Sequence, residues 1–282
     1  MKIFITGSSG FLGKSLLKVL RNSQHEILCL SRKNSASGYI KGDIGNLSAW
    51  SQKLKEFCPD AAIHLAWENV ANYNATTPEA ALGNFINSLN LYRFLGKTGC
   101  KKFITMGSVS EHSNNMNPFL ASKVALRSFG EGISRDSNTQ FLWVRPFYIY
   151  GPGQRREALL PTIVSTLLNN GVPEIKNPSL RQDFIYVDDV ARAILKIAER
   201  SEEKFQIYEI GRGETFLIGQ LANIAYRQLG FREKYEVLSD ETGDIKPLVA
   251  DTNLIRQLDW IPEVDYEKGI KEMIDFYRSN AV

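Results

Sequence analysis

The chain has 282 residues, 43% of them hydrophobic, which is enough for one cofactor domain with a smaller second lobe. Its 34 basic and 31 acidic residues give a formal net charge of +3 without long runs of either sign, so neither nucleic acid nor a membrane surface is an expected partner. The N-terminal pattern is that of a buried strand and no run of about 18 apolar residues occurs, so we expect no targeting signal or membrane span and predict a cytoplasmic protein.

The first predicted strand leads into a glycine-rich segment, TGSSGFLG at 6–13, which opens a helical pattern. Gly7 suits the positive φ of a tight turn, Gly10 lets the backbone approach a pyrophosphate, and Gly13 lets the helix pack close to the strand. The free N–H groups of the helix would then face the phosphates, so we predict a dinucleotide-binding turn; the alternative is a purely structural glycine turn. The residues assigned to the cofactor here are Gly7, Ser9, Gly10, Phe11, Leu12 and Gly13.

Further apolar runs, separated by segments with a 3.6-residue period, predict an α/β protein with a doubly wound parallel sheet. The predicted strands are Ile3–Ile5, Glu26–Leu30, Ala61–Leu65, Lys102–Met106 and Gln140–Val144. Two helices, at 78–96 and about 119–133, carry apolar stripes that suit core packing or a dimer interface. Cys29, Cys58 and Cys100 lie far apart without metal-ligand spacing, which indicates buried thiols and no metal site.

The pattern changes after Gly151-Pro152-Gly153 to shorter segments with more turns. We therefore predict that residues 1–147 form a Rossmann domain for the cofactor and that residues 181–200 return to it. Residues 148–180 and 201–282 are predicted to form a smaller mixed α/β lobe that binds the substrate.

Several short segments in combination resemble the extended short-chain dehydrogenases/reductases of the nucleotide-sugar epimerase, dehydratase and reductase group, over nearly the whole chain. They are TGSSGFLG (6–13), GDI (42–44), HLAW (64–67), MGSVSEHS (106–113), PFLASK (118–123), RPFYIYGPGQ (145–154), RQDFIYVDDVARAI (181–194) and LDWIP (258–262). The resemblance implies cofactor contacts at Asp43 and Ile44 for the adenine, at Leu65 and Ala66 along the cofactor bed, and at Pro146, with Phe147, near the nicotinamide. Asp43 by itself also suits a turn.

The choice of cofactor depends on the end of the second strand, where an acidic residue would bind the ribose 2′-hydroxyl of NAD. This chain has Ser31, Arg32 and Lys33 there. A hydroxyl followed by a guanidinium suits a 2′-phosphate, so the sequence favours NADP(H), with a solvated basic loop as the alternative.

In the family that the chain resembles, a Ser or Thr bonds the substrate oxygen, a Tyr exchanges the proton, and a Lys four residues later lowers the pKa of that Tyr and holds the ribose. Ser108 and Lys123 match the first and third of these, but Phe119 stands at the Tyr position and cannot exchange a proton. We favour an inactivated form in which Tyr was replaced by Phe; alternatively, the natural protein has lost this chemistry, or a different residue is the acid. Candidates for a relocated acid are Ser110, His112 and Tyr148.

Dehydratases of this group have acidic residues directly after the Ser or Thr, whereas this chain has Val109 and Ser110, so dehydration is disfavoured. The expected function is NADPH-dependent reduction of a nucleotide-linked 4-keto, deoxy sugar. The alternatives are a nucleotide-sugar 4-epimerase and a non-catalytic NADP(H)-binding regulator. The resemblance also implies a homodimer and a substrate site, whose expected residues are Trp67, Ser108, Tyr148, Arg181 and Lys246.

Overall fold

The computed structural model of the protein describes residues 1–21, 23–113, 115–235 and 247–280. The chain divides into two compact units. Unit 1 comprises Met1–Pro146 and Ala191–Tyr208, and unit 2 comprises Phe147–Val190 and Glu209–Val282.

The described strands are β1 (Lys2–Thr6), β2 (Glu26–Ser31), β3 (Tyr39–Lys41), β4 (Ala61–His64), β5 (Lys102–Met106), β6 (Gln140–Pro146), β7 (Tyr148–Tyr150), β8 (Arg181–Gln182), β9 (Phe184–Tyr186), β10 (Phe205–Ile210) and β11 (Phe216–Leu217). The described α-helices are α1 (Phe11–Leu20), α2 (Ser51–Phe57), α3 (Pro78–Gly96), α4 (Pro118–Ser134), α5 (Leu159–Leu168), α6 (Val187–Arg200), α7 (Ile218–Gln228), α8 (Asn253–Arg256) and α9 (Tyr266–Ser279). Three 3-10 helices lie at Ile44–Ala49, Val70–Ala75 and Val109–His112 within the described residues.

A seven-stranded sheet, in the order β10-β6-β5-β4-β1-β2-β3, is formed by the described strands of unit 1 and the end of β10. The strand order reverses between β1 and β4, and the two strands are parallel, with Thr6 opposite His64. In open sheets of this kind, ligands bind beyond the carboxyl ends of the strands at such a reversal. The predicted α/β class with a doubly wound parallel sheet is confirmed, and this edge is the expected position for a site.

Aromatic side chains fill the core beside the central strands. Phe103, Phe141 and Trp143 are fully buried, and the ring of Tyr92 from α3 packs 5.3 Å from Phe103 and 5.0 Å from Phe141, measured between centroids. The Tyr92 hydroxyl donates to the carbonyl of Thr139 at 2.8 Å, which satisfies its buried polar atom. These aromatic contacts and this hydrogen bond therefore hold α3 against the sheet.

Helices α3 and α4 begin at sequence signals that fix their ends. Thr77 accepts from the Ala80 N–H at 3.3 Å and Asn117 accepts from the Leu120 N–H at 2.9 Å, with Pro78 and Pro118 in the first turns. The two helices pack against each other, and this packing sets the position of the residues at the start of α4.

Unit 2 contains two small sheets, in which β7 pairs with β9 and β8 with β11. A buried carboxylate, Asp183, accepts from the backbone N–H groups of Arg212, Gly213 and Ala250 at 2.6, 3.0 and 3.1 Å. One short side chain thus fixes two loops of unit 2 to the segment between β8 and β9.

The structure corrects the expected bounds of the two units and the expected burial of Cys58. Residues 201–208 belong to unit 1, because β10 is the edge strand beside β6. Residues 181–190 belong to unit 2, in which β8 pairs with β11 and β9 with β7. The short β3 was not predicted. Cys58 is exposed, at a left-handed position after α2, whereas Cys29 and Cys100 are buried as expected.

No described helix has the length and apolar character that crossing a membrane requires. Among the residues that the structure describes, no group of three or more His, Cys, Asp or Glu side chains could hold a metal ion.

Replacing Gly13 by Ala should destabilise the protein, because the new Cβ would lie 2.2 Å from the Gly7 carbonyl oxygen, which is backbone. We expect a loss of about 1–3 kcal/mol in the free energy of unfolding, measured by urea denaturation. Gly132→Ala in α4 is the matched control, since nothing lies within 4 Å of its added Cβ. Its free energy of unfolding should rise by roughly 0.5–1 kcal/mol, because alanine suits a helix better than glycine. Equal effects of the two changes would contradict the close packing at Gly13.

Candidate active site

The glycine-rich turn lies at the carboxyl end of β1, where the strand order reverses. Gly7 has φ +74°, and a Cβ there would lie 2.6 Å from the Ala66 nitrogen, so only glycine fits this approach between the turn and the end of β4. Gly10 begins α1, and no side chain caps its first N–H groups. Uncapped N–H groups at a helix start form an anion site, and this geometry fits the pyrophosphate of a dinucleotide. Ser9 is exposed, and Phe11 and Leu12 are half-buried.

Beyond β2, the Ser31 hydroxyl oxygen accepts from the N–H groups of Lys33 at 3.3 Å and Asn34 at 2.9 Å. Its hydrogen is therefore available to donate. Arg32 is exposed, and its guanidinium lies 3.7 Å from the Glu68 carboxylate. Asp43 accepts from the Gly45 N–H at 2.8 Å and so caps the 3-10 helix that begins at Ile44, which is the turn role that the sequence offered as the alternative. Its contact with adenine, and that of Ile44, stay predictions.

A buried histidine fixes the backbone beside the glycine-rich turn. His64 contacts the Thr6 hydroxyl through Nδ1 at 2.7 Å and the Ser88 hydroxyl through Nε2 at 2.8 Å. Because the Ser88 hydroxyl donates to the Asn84 carbonyl, it accepts from His64, which assigns the proton to Nε2. Burial, together with the charge of Lys123, lowers the pKa of His64 to about 3, so the ring is neutral.

The same network holds the predicted cofactor bed at the end of β4. The Ala66 N–H donates to the Thr6 hydroxyl oxygen at 3.2 Å, and the Leu65 N–H donates to the Thr6 carbonyl at 3.1 Å. Leu65 and Ala66 are therefore fixed against β1 by one residue, through both its main chain and its side chain.

Ser108 follows β5 and caps the 3-10 helix Val109–His112. Its hydroxyl oxygen accepts from the Ser110 N–H at 3.2 Å. An oxygen held in this way as an acceptor keeps its hydrogen free to donate, which is the role needed at a ketone oxygen.

Glu111, three residues later, is the residue that sequence reasoning missed. Its side chain is 2% exposed and accepts from the Ser108 N–H, the Trp143 indole N–H and an Arg145 N–H, each at 3.0 Å. Arg127 forms a further ion pair with it at 3.2 Å. Burial acts to raise the pKa of Glu111, but the bonds from Arg145 and the Ser108 N–H outweigh it and hold the pKa below its usual value. The pattern Ser-x-x-Glu is a capping-box signal that was visible in the sequence.

Lys123 lies on the buried side of α4 with 5% exposure. Its ammonium donates to the Met106 carbonyl at 2.6 Å and lies 4.3 Å from the centroid of the Trp67 ring. Burial lowers the pKa of Lys123 to about 8, and the charge of Glu111 opposes this shift. The lysine is thus anchored by one carbonyl and one aromatic face.

Phe119 is buried one turn before Lys123, whose ammonium lies 5.5 Å from its ring centroid. Trp67 contacts the same ring edge-on at 6.4 Å and Tyr73 at 5.8 Å, measured between centroids. Tyr73 was not predicted to be near the site. The indole N–H of Trp67 is buried and has no hydrogen-bond partner among the described residues.

The structure brings Phe119, Lys123 and Trp67 together in unit 1, and Ser108 is linked to them through Glu111, which accepts from the Ser108 N–H and whose charge acts on Lys123. The other predicted site residues are distributed differently. Pro146 is buried at the end of β6, also in unit 1. Tyr148 and Arg181 lie in unit 2, on β7 and β8. Lys246 lies outside the described residues.

Two candidates for a relocated acid lie in the Ser108 turn. Ser110 is exposed and its N–H is engaged by Ser108. His112 is exposed, with Nε2 3.4 Å from an Arg145 nitrogen.

The fold and strand order define a Rossmann-like α/β protein. A model of the NAD dependent epimerase/dehydratase family matches residues 3–211, and the chain belongs to this family. It is similar to CDP-abequose synthase from Salmonella typhimurium, with 25% identity over 96% of this chain and 97% of that one.

Among solved structures, the fold is similar to that of a UDP-glucose 4-epimerase from Thermotoga maritima with UDP-glucose, with a TM-score of 0.84 and 21% identity over the full length of both chains. It is also similar to the Thermus thermophilus UDP-glucose 4-epimerase in complex with NAD, with a TM-score of 0.79 and 20% identity over 99% of each chain.

Replacing Lys123 by Met should stabilise the protein at pH 7, because the folded state holds this charge at a pKa of about 8 and the unfolded chain at 10.5. The destabilisation caused by the buried charge of Lys123 is complete below pH 8, declines between pH 8 and 10.5, and is absent above pH 10.5. We expect a gain of up to about 3 kcal/mol at pH 7, reduced by the lost bond to Met106, and measured by urea unfolding across this pH range.

The exposed Lys53 of α2 offers the matched control, and Lys53→Met should change stability little at any of these pH values. The buried-charge account of Lys123 is wrong if the difference between its variant and the parent protein does not decline as the pH rises.

Proposed function

We propose that the protein is an NADPH-dependent reductase of a nucleotide-linked 4-keto, deoxy sugar, present here in a form with Phe at the proton-donor position. The observation that carries this proposal is that the buried Lys123 ammonium lies 5.5 Å from the ring centroid of Phe119 and donates to the carbonyl of Met106, two residues before Ser108. The Ser108 hydroxyl oxygen accepts from the Ser110 N–H, which leaves its hydrogen to polarise a ketone. A lysine this close to residue 119 would lower the pKa of a tyrosine placed there.

A bound nicotinamide supplies the hydride in such a reduction. Ser108 would donate its hydroxyl hydrogen to the ketone oxygen, because the Ser108 hydroxyl oxygen already accepts from the Ser110 N–H. Lys123 would stabilise negative charge beside residue 119. A tyrosine at 119 would release its proton to the developing alkoxide, whereas Phe119 leaves this step without its donor.

The preference for NADPH is supported by the end of β2. The Ser31 hydrogen is available to donate and Arg32 is an exposed guanidinium, and together they suit a 2′-phosphate. Glu68, 3.7 Å from Arg32, competes with a phosphate for this cation, but exposed ion pairs of this kind are weak.

Dehydration requires an acidic residue that is free to act, and the Ser108 turn offers none in the right place. Val109 is buried and apolar, Ser110 cannot donate as a carboxylic acid would, and the Glu111 carboxylate is held by Arg127 and Arg145. The geometry therefore favours reduction or epimerisation of the sugar over loss of water.

A nucleotide-sugar 4-epimerase is the second candidate. Similarity to solved UDP-glucose 4-epimerases supports it as much as similarity to CDP-abequose synthase supports a sugar reductase. Nicotinamide retained through purification, with no net consumption of NADPH, would favour the epimerase. A cofactor-binding regulator is expected to bind NADPH without turnover, whatever residue occupies position 119.

The substrate proposed for this site is a nucleotide-diphosphate sugar. In unit 1, Trp67 lies edge-on to Phe119 and is the substrate contact proposed there. Tyr148 and Arg181, in unit 2, stay substrate contacts predicted from the sequence. A homodimer and a cytoplasmic location stay predictions from the sequence.

Phe119→Tyr should raise kcat for NADPH oxidation with a nucleotide-linked 4-keto sugar by about 10²–10⁴-fold, because it restores a general acid. The measurement is the loss of NADPH absorbance across a panel of such sugars, with KM for the sugar changing little. Phe129→Tyr, at an exposed position of the same helix, is the matched control and should leave kcat unchanged. If the parent protein and Phe119→Tyr both bind NADPH and neither consumes it, the reductase proposal is wrong.

Arg32→Gln should weaken NADPH binding by roughly 10–100-fold and leave NADH binding unchanged, because a charged bond to the 2′-phosphate is lost. Cofactor fluorescence titration measures both affinities. Arg135→Gln serves as the control, since Arg135 is an exposed arginine of similar pairing, 3.8 Å from Glu131. Equal losses for the two cofactors would show that Arg32 does not read the 2′-phosphate.

A further inference from the structure

We propose that Glu111 is a positioning residue of this site, which fixes the turn that presents Ser108 and supplies the negative charge that helps to keep Lys123 protonated. No catalytic contact is assigned to it. The inference concerns the same two side chains that the proposed function uses, but it is tested without substrate or cofactor.

The anchoring half of the proposal follows from the hydrogen bonds of the Glu111 carboxylate. Oε1 accepts from both the Ser108 N–H and the Trp143 indole N–H, and Oε2 accepts from Arg145. Because Trp143 and Arg145 belong to β6, the carboxylate ties the turn after β5 to the neighbouring strand of the sheet. The position of the Ser108 hydroxyl thus depends on β6 through one buried side chain.

Gly107 shows how closely this carboxylate fits. A Cβ at position 107 would lie 2.3 Å from both Glu111 Oε1 and Trp143 Nε1. The side chain of Glu111 therefore occupies the space directly beside the backbone that carries Ser108, with no room for a second arrangement while both contacts are kept.

The electrostatic half of the proposal follows from what surrounds Lys123. The ammonium meets the Met106 carbonyl from β5, the Trp67 ring from the segment after β4, and Phe119 on its own helix. Of the charged and titratable groups that act on this ammonium, Glu111 favours its charge, and His64 is neutral.

Arg127 and Arg145 share the Glu111 carboxylate and so moderate its effect on Lys123. Arg127 lies four residues after Lys123 on α4, on the same side of the helix. Loss of the carboxylate would therefore remove a negative charge that acts on all three cations.

The test follows the titration of Lys123 by NMR of protein labelled with ¹³C at the lysine ε-carbons, with Lys123→Arg identifying the signal. Glu111→Gln should lower the pKa of Lys123 by about half a pH unit or more, because an opposing charge is removed. Glu131→Gln is the matched control: Glu131 is a half-buried glutamate of α4 that also pairs with an arginine, and its loss should leave the titration unchanged.

Hydrogen exchange of the Ser108 amide tests the anchoring in the same samples. Exchange should be about tenfold or more faster in Glu111→Gln, since a bond to a charged acceptor is lost. Glu111→Asp separates the two halves: it keeps the charge, so the pKa of Lys123 should stay near that of the parent protein, but its shorter side chain should leave the Ser108 amide exchanging faster. If Glu111→Gln does not fold, this variant still tests the anchoring half.

Two results would overturn the proposal. An unchanged or raised pKa of Lys123 in folded Glu111→Gln would contradict the electrostatic half. Unchanged exchange of the Ser108 amide in Glu111→Asp would contradict the anchoring half. Neither result depends on NADPH consumption, so failure of the reductase proposal would be seen separately, in the turnover assay of Phe119→Tyr.

Discussion

A charged ammonium is buried in unit 1, and much of the site is arranged to accommodate it. An isolated cation without water is strongly unfavourable, so Lys123 requires an acceptor and compensating electrostatics. The Met106 carbonyl accepts a hydrogen bond from the ammonium, and the face of the Trp67 ring makes a cation–π contact with it. The negative charge of Glu111 favours the protonated form of Lys123. Even with these, the pKa of Lys123 is held well below that of a solvated lysine, which leaves the group close to exchanging its proton near neutral pH.

Local sequence patterns predicted the central fold well because strand and turn signals there are short-range. The spacing of Gly10 and Gly13 after Gly7 reflects contacts within one strand-turn-helix unit, since both lie against the Gly7 carbonyl oxygen. The five predicted strands are confirmed with small shifts of their ends. The three-residue β3 has too few residues for a periodic signal. β10 was placed in the wrong unit because its assignment depends on pairing with β6, which is distant along the chain.

The candidate site was predictable only where a motif named the residue. Ser108, Phe119 and Lys123 were found through their positions in family-like segments, and the structure places the Lys123 ammonium 5.5 Å from the ring centroid of Phe119. The contacts of Tyr73 with Phe119, and of Trp143 and Arg145 with Glu111, escaped because they join residues more than 30 positions apart, which no window of sequence reveals. Cys58 shows the converse error, since apolar neighbours in sequence did not make its environment buried.

The close fit of Gly107, Glu111 and Trp143 has a consequence for how this turn can evolve. Any larger residue at 107 collides with the other two, and loss of the glutamate removes the partner that both Arg127 and Arg145 share. Single substitutions among these five positions should therefore be harmful one at a time, although a coordinated set is compatible with the fold. Divergence here is expected to proceed by linked replacements, so that lineages keep the whole group or exchange it together.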